Sequence, residues 1–261
     1  MSQSSTPVSP PSPLPQIGKV TIFDILAALK AGVFDFRRAP QFGLFFSALY
    51  ALVGWVLVTQ GAGHVSWVLT VSLGFPLVAP FAAVGLYEVS RRIEADLPLT
   101  WRDVLGVVWR ERTRQIPWMG ALIAIYFLFW TFLAHMIFAV FMGLSVMRNV
   151  TSSVDMFLTP NGLTMVGTEI AIGGALAFLL FSMTVVSLPL LLEKEVDFVT
   201  AILLSLKTVT ANFGVMVIWA AIIAVLTVAA LVPAFLGLLI VLPVLGHATW
   251  HLYRRSLYDE T

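Results

Sequence analysis

The sequence predicts an all-α membrane protein, a polytopic bundle of about six transmembrane helices arranged as three hairpins. Two observations lead to this fold class. Apolar residues make up 59% of the chain and charged residues only 11%, which leaves too little polar surface for a soluble domain of this size. The apolar residues also fall into runs of about 20, the length that an α-helix needs to cross a bilayer.

Six apolar runs are the candidate spans. They are residues 42–60, 65–87, 117–142, 166–192, 213–232 and 234–252. Residues 1–18 precede them, are rich in proline and serine, and are predicted to be a disordered cytoplasmic tail. The remainder, residues 19–258, is predicted to be one transmembrane domain. Pro233 separates the last two spans, which favours a tight hairpin over one bent helix.

The positions of the basic residues predict the topology. If both termini lie on one side of the membrane, 14 of the 15 Lys and Arg residues lie on that side and only Arg148 lies opposite. Loops rich in Lys and Arg stay in the cytoplasm. The chain is therefore predicted to cross a bacterial inner membrane several times, with both termini cytoplasmic.

An internal repeat divides the domain into three units, at residues 19–95, 96–195 and 196–258. Each unit opens with a short amphipathic stretch headed by Asp24, Asp103 or Asp197 and continues into a hairpin. These stretches are too short and too charged to span the bilayer, so we expect three interfacial helices, each with an apolar face toward the lipid. The expected faces are Ile22, Ile25, Leu29, Val33 and Phe36; Trp101, Val104, Leu105 and Val108; and Ile202, Leu206, Val209 and Phe213.

Three segments carry a resemblance to a known family. They read FDFRRAPQFGLFF from Phe34, APFAAVGLYEVSRRIE from Ala79 and LTWRDVLG from Leu99. In these segments the chain resembles domain of unknown function 2189, a family of uncharacterised bacterial integral membrane proteins. Some members are labelled as similar to cytochrome c oxidase subunit I, which implies an accessory or assembly role near a respiratory complex. The four histidines of this chain are too few to ligate the haems and copper of such a catalytic subunit.

Composition excludes several other classes of function. The chain has no cysteine, so it forms no disulfide and no thiolate metal site. Its 15 basic and 14 acidic residues nearly balance, which argues against a nucleic-acid partner. The sequence lacks a P-loop, an HExxH motif and a Gly-x-Ser-x-Gly motif, so no catalytic residue and no enzymatic activity are expected.

Ionisable residues inside the membrane are the best guide to a site, because burying them is costly. His135 in the third span and Glu169 near the start of the fourth are predicted to form an intramembrane polar pair. The alternative is that His135 bonds a helix carbonyl and Glu169 reaches the aqueous interface.

Two further groups are candidates. Glu88, Glu193, His247 and His251 are predicted to line a cytoplasmic mouth, or else to be interfacial side chains that extend toward water. Thioether and imidazole ligands suit Cu(I), so His135 with three methionines is a weak copper candidate; the methionines are Met136, Met142 and Met147. Methionine also fills irregular apolar space, and no cofactor is expected beyond this weak copper candidate.

Two functional hypotheses follow. The first is a non-catalytic scaffold, accessory or assembly factor in the lipid bilayer, with a membrane complex such as cytochrome c oxidase as its partner. The alternative is a small-solute or ion transporter, or a channel, with a central pathway between the three repeats.

Overall fold

The computed structural model describes residues 14–59, 65–143 and 157–258. Side chains are described over the same ranges, except those of residues 57, 58 and 65–78. Residues 1–13 of the predicted tail lie outside these ranges. Met147 and Arg148 also lie outside them.

Helices account for most of the described chain. They are α1 (Ile22–Arg38), α2 (Pro40–Thr59), α3 (Val65–Glu94), α4 (Trp101–Glu111), α5 (Ile116–Met142), α6 (Pro160–Thr184), α7 (Ser187–Glu193), α8 (Phe198–Ala211), α9 (Phe213–Leu231) and α10 (Leu238–Ser256). Each apolar run that we expected to span the membrane coincides with a helix or, for residues 166–192, with the consecutive helices α6 and α7.

Among the described residues, fewer segments than apolar runs have the length and hydropathy that a single membrane crossing requires. Within the described ranges, three segments are long and apolar enough: Ile116–Met142, Pro160–Glu193 and Phe213–Leu231. The pair α1 and α2 would count as a fourth, but it bends by 100° between the two helices. The chain is therefore a mostly helical protein with three to four candidate spans.

A tight turn separates the last two helices. After α9 the backbone adopts positive φ values at Ala234 (51°) and Phe235 (67°), in the left-handed region found in turns. A Cβ atom added to Gly237 would lie 2.7 Å from Ala230 Cα, which places the start of α10 against the end of α9. This turn shortens the sixth apolar run, because α10 begins only at Leu238 and ends in Arg254, Arg255 and Ser256.

A pair of two-residue strands joins the two ends of the described chain. Strand β1 (Gln16–Ile17) pairs antiparallel with β2 (Leu257–Tyr258). The Asn212 side chain holds the same region, since it accepts a hydrogen bond from the Val20 N–H at 2.8 Å and donates one to the Gly18 carbonyl at 3.0 Å. Ordered structure thus begins before residue 18, and the ends of the described chain lie side by side.

Polar residues cap the three helices that open the predicted repeats. In α1 and α4 the cap is a threonine, Thr21 or Thr100. The carboxyl group of the aspartate three residues later accepts a hydrogen bond from this threonine. In α8 the order is reversed, because Asp197 is itself the cap and accepts a hydrogen bond from the Thr200 N–H at 2.9 Å. These bonds satisfy donors that a helix start leaves unpaired. In α8 the hydrogen bonds from Thr200 are the chief cause that lowers the pKa of Asp197.

Helix α10 is the element around which the others pack. It contacts α1, α2, α3, α7 and α9. Its closest neighbour is α1, where a Cβ atom added to Gly32 would lie 2.6 Å from the Val244 carbonyl oxygen and 2.7 Å from the Ala248 nitrogen.

The buried side of α1 consists of small and polar residues and one isoleucine. It comprises Ile25, Ala28, Gly32 and Asp35, whereas only Ile25 belongs to the apolar face that we expected. Small residues determine this face because they allow two helix backbones to approach closely.

The substitution Gly32→Ala tests this contact. Because the nearest atoms are backbone atoms of α10, the added methyl group has no flexible neighbour to displace, and we expect the free energy of unfolding to fall by about 1–3 kcal/mol. The measurement is thermal or denaturant unfolding in a mild detergent. The matched control is Gly174→Ala in α6, where an added Cβ meets nothing within 4 Å. Equal effects of the two substitutions would contradict the close α1–α10 packing.

Candidate functional site

A buried carboxyl group marks the end of α3. Glu88 has no exposed surface, and it is bound by the two arginines that follow it in the helix. Arg91 Nε donates to Glu88 Oε2 at 2.7 Å, and Arg92 Nε donates to Glu88 Oε1 at 2.6 Å. Burial of a charged group is tolerated only with such partners, so Glu88 and its arginines form one structural unit.

Two histidines of α10 face neighbouring helices, one turn apart. His247 is fully buried, and its Nδ1 lies 2.8 Å from the Ser90 hydroxyl of α3. His251 Nε2 lies 2.7 Å from a carboxyl oxygen of Asp35 on α1, which is only 2% exposed. The two histidines therefore join α10 to α3 and to α1.

The last turn of α10 makes further polar contacts. Glu193 at the end of α7 accepts hydrogen bonds from the Tyr253 hydroxyl and, at 2.7 Å, from Arg254. Arg254 also contacts Glu94 at 3.2 Å, and the Trp250 indole N–H donates to Glu94 at 2.9 Å. We refer to these contacts as the α10 polar cluster, which comprises Asp35, Glu88, Ser90, Arg91, Arg92, Glu94, Glu193, His247, Trp250, His251, Tyr253 and Arg254.

A cavity of about 410 Å³ opens at this cluster, lined by Arg91, Glu94, Glu193, Trp250 and Arg254, with Ala95 and Leu192. Charges of both signs face it. The hydrogen bonds to Glu88 raise the pKa of the Arg91 guanidinium, burial partly opposes this rise, and the charges of Glu88 and Glu193 add to it. The cavity wall is therefore a set of ion pairs close to charge balance.

The four residues expected at a cytoplasmic mouth thus lie in the same cluster, at the ends of α3, α7 and α10. They do not form a single ring. Glu88 is bound by arginines of its own helix, Glu193 by Tyr253 and Arg254, and His251 by Asp35. In the part of the chain that the structure covers, no hydrogen bond joins Glu88, Glu193 and His251 directly.

The second expected group, His135 and Glu169, lies on α5 and α6. His135 is exposed, and its Nδ1 lies 2.7 Å from the Thr131 carbonyl one turn earlier in the same helix. Glu169 is half-buried and lines a groove of about 250 Å³ between α5 and α6, beside Trp130 and Gly173. Among the described residues no hydrogen bond joins His135 to Glu169, so each is placed on its own helix.

The expected copper ligands are only partly described. Met136 is exposed on α5, Met142 is the last residue of that helix, and Met147 lies outside the described ranges. Residues 14–59, 65–143 and 157–258 contain no group of three or more His, Asp or Glu side chains that could hold a metal ion. Copper binding stays a prediction.

The sequence pointed to the α10 side of the cluster and missed its partners. Asp35, Ser90 and Glu94 were not singled out, although each contacts a histidine or tryptophan of α10. One signal was present for Asp35. It continues the line of small residues Ala28 and Gly32 at helical spacing, so it lies on the face of α1 that small residues mark for close packing.

Comparison with known proteins finds a family model that matches part of the chain. Residues 68–193 match the model of a family described as predicted integral membrane protein, domain of unknown function 2189. The predicted resemblance is confirmed. The matched range contains the segments from Ala79 and Leu99, while the segment from Phe34 lies before it. No curated protein and no solved structure matches the chain.

Exchange of Glu88 for glutamine tests whether the cluster is structural. Glu88→Gln keeps the shape of the side chain but removes the charge that binds two guanidinium groups. We expect the free energy of unfolding in detergent to fall by about 1–3 kcal/mol. The matched control is Glu169→Gln, since Glu169 forms no ion pair with any described residue; we expect a change within about 0.5 kcal/mol. A loss with Glu169→Gln and none with Glu88→Gln would contradict the structural role of the cluster.

Proposed function

We propose that this integral membrane protein is a non-catalytic scaffold, accessory or assembly factor for a membrane complex. A respiratory oxidase is the partner complex that the family resemblance suggests. The observation that carries the proposal is the pairing within the α10 polar cluster. Its carboxyl groups are bound by arginine, histidine, tyrosine or tryptophan side chains of the same chain. Such pairing holds helices together and leaves few side chains available for catalysis.

The apolar interior supports the same proposal. The larger cluster of buried apolar side chains includes Met119, Leu190 and Trp219, with contributions from α1, α3, α4, α5, α7, α8, α9 and α10. Large apolar side chains remain exposed on α5, α6 and α9, among them Phe132, Ile170 and Val225. Such surfaces suit contact with lipid or with apolar helices of a partner.

The proposal includes the finer topology of six spans in three hairpins, with both termini in the cytoplasm of a bacterial cell. Its support is the position of 14 of the 15 basic residues on one side of the predicted spans. The strand pair between residues 16–17 and 257–258 adds support, because both ends of the described chain then lie on the same side.

A small-solute or ion transporter is the second candidate. One observation favours it: Glu169 lines a groove whose other residues are almost all apolar, and intramembrane carboxyl groups often mark ion pathways. The groove lies between α5 and α6, outside the apolar cluster described above, so a central pathway has less support than the scaffold.

Affinity capture from native membranes tests the proposal. The tagged full-length chain is expressed at its native level, membranes are crosslinked and solubilised in mild detergent, and the eluate is analysed for proteins and for copper. We expect one membrane complex to co-purify in a fixed ratio. The control is an unrelated polytopic protein with the same tag and expression level. Recovery of the chain alone, together with solute uptake in proteoliposomes that Glu169→Gln abolishes, would favour transport and overturn the scaffold.

A further inference from the structure

Helix α4 has a buried face and an exposed apolar face, with exposed arginines beside the latter. One face is buried in the protein and consists of Val104, Val107 and Glu111, of which none is more than 4% exposed. Glu111 is neutralised on this side by Arg114, whose Nη1 lies 2.9 Å away. The helix is thus fixed to the bundle along one side, and the partly exposed Trp101 at its start also packs against Phe42 and Phe45 of α2.

The second face is apolar and exposed. It carries Trp101, Leu105 and Trp109 at intervals of four residues, with exposed fractions of 41%, 38% and 65%. Residues four apart lie on the same side of a helix, so these three form one continuous strip. Tryptophan is enriched where a membrane meets water, because its ring is apolar and its N–H is polar.

Three arginines lie beside this strip and have no counter-charge among the described residues. Arg102, Arg110 and Arg112 are exposed, and none of them forms an ion pair with the residues that the structure describes. The nearby acidic groups are already occupied: Asp103 bonds Thr100 and lies 3.5 Å from Arg92, and Glu111 binds Arg114.

Arg112 is also oriented by a tryptophan. Its guanidinium carbon lies 3.4 Å from the centre of the Trp109 ring, a cation–π contact. Stacking leaves the edge of the guanidinium free to donate hydrogen bonds, and this planar edge matches a phosphate group. The apolar strip and the exposed arginines thus meet where Arg112 stacks on Trp109.

We propose that α4 and Arg112 form a binding surface for anionic phospholipids. Trp101, Leu105 and Trp109 enter the headgroup boundary of the leaflet, while Arg102, Arg110 and Arg112 bind the phosphates of phosphatidylglycerol or a related anionic lipid. Charge complementarity selects this occupant, since three exposed arginines without ion pairs among the described residues, beside an exposed tryptophan strip, match a negatively charged lipid surface. The surface is distinct from the α10 polar cluster, and it does not depend on the scaffold proposal.

Native mass spectrometry of the full-length chain in detergent tests the proposal, with phosphatidylglycerol titrated against phosphatidylcholine. The test variant is Arg102→Ala/Arg110→Ala/Arg112→Ala. Since each basic residue near a lipid surface contributes to anionic lipid binding, we expect its affinity for phosphatidylglycerol to fall by about tenfold or more, with binding of phosphatidylcholine unchanged.

The charge-matched control is Lys30→Ala/Arg37→Ala/Lys207→Ala, which removes three exposed basic residues from α1 and α8. We expect less than about a threefold loss for this control. Equal losses in the two triple variants would show a bulk-charge effect and overturn the proposal. Thermal unfolding of both variants separates loss of the surface from loss of the fold.

A second measurement locates the contact. In nanodiscs containing phosphatidylglycerol with brominated acyl chains, tryptophan fluorescence is quenched at close range, and Trp109→Phe should reduce the quenched fraction more than Trp219→Phe, which removes a fully buried tryptophan of α9. Equal reductions would count against the site. Binding of a poly-glutamate peptide in place of phosphatidylglycerol, lost in the α4 variant, would show a protein-docking surface and overturn the lipid assignment.

Discussion

The structure depends on one constraint: polar groups buried at the end of α10 must find partners inside the protein. Asp35, Glu88 and His247 are shielded from water, and an unpaired carboxyl or imidazole group in such a place is costly. Asp35 with His251, Ser90 with His247 Nδ1 and Glu94 with Trp250 form such pairs across helix boundaries, whereas the buried His247 Nε2 has no hydrogen-bond partner among the described residues. These pairs join α1 and α3 to α10, and Glu193 of α7 completes the cluster.

The same constraint bears on how α1 packs against α10. The apolar side chains Phe23, Leu26 and Phe34 of α1 are exposed. Its opposite side packs on α10 through Gly32, so closely that backbone meets backbone, and Asp35 makes its polar contact in the next turn. Helix α4 combines the same two properties, with a buried side on the bundle and an exposed aromatic strip beside unpaired arginines.

The sequence predicted those parts of the fold that depend on local pattern. Apolar runs located the helices, and polar residues at their ends located Glu88, Glu193, His247 and His251 in one region. The partners of these groups follow from tertiary packing, which hydropathy does not record. Gly32 shows why, since glycine contributes little to an apolar face and yet determines the closest helix contact. The β1–β2 pair was also not predicted from the sequence, because its strands are two residues long and far apart in the chain.

A double-mutant cycle on Asp35 and His251 tests the central claim most directly. The free energy of unfolding in detergent would be measured for the wild type, Asp35→Asn, His251→Gln and the double variant. If the pair joins α1 to α10, the losses in unfolding free energy of the two single variants should add up to more than the loss of the double variant. The difference, which is the coupling energy, should be about 1 kcal/mol or more. Additive effects within about 0.3 kcal/mol would contradict the claim that cross-helix polar pairing holds this end of the bundle together.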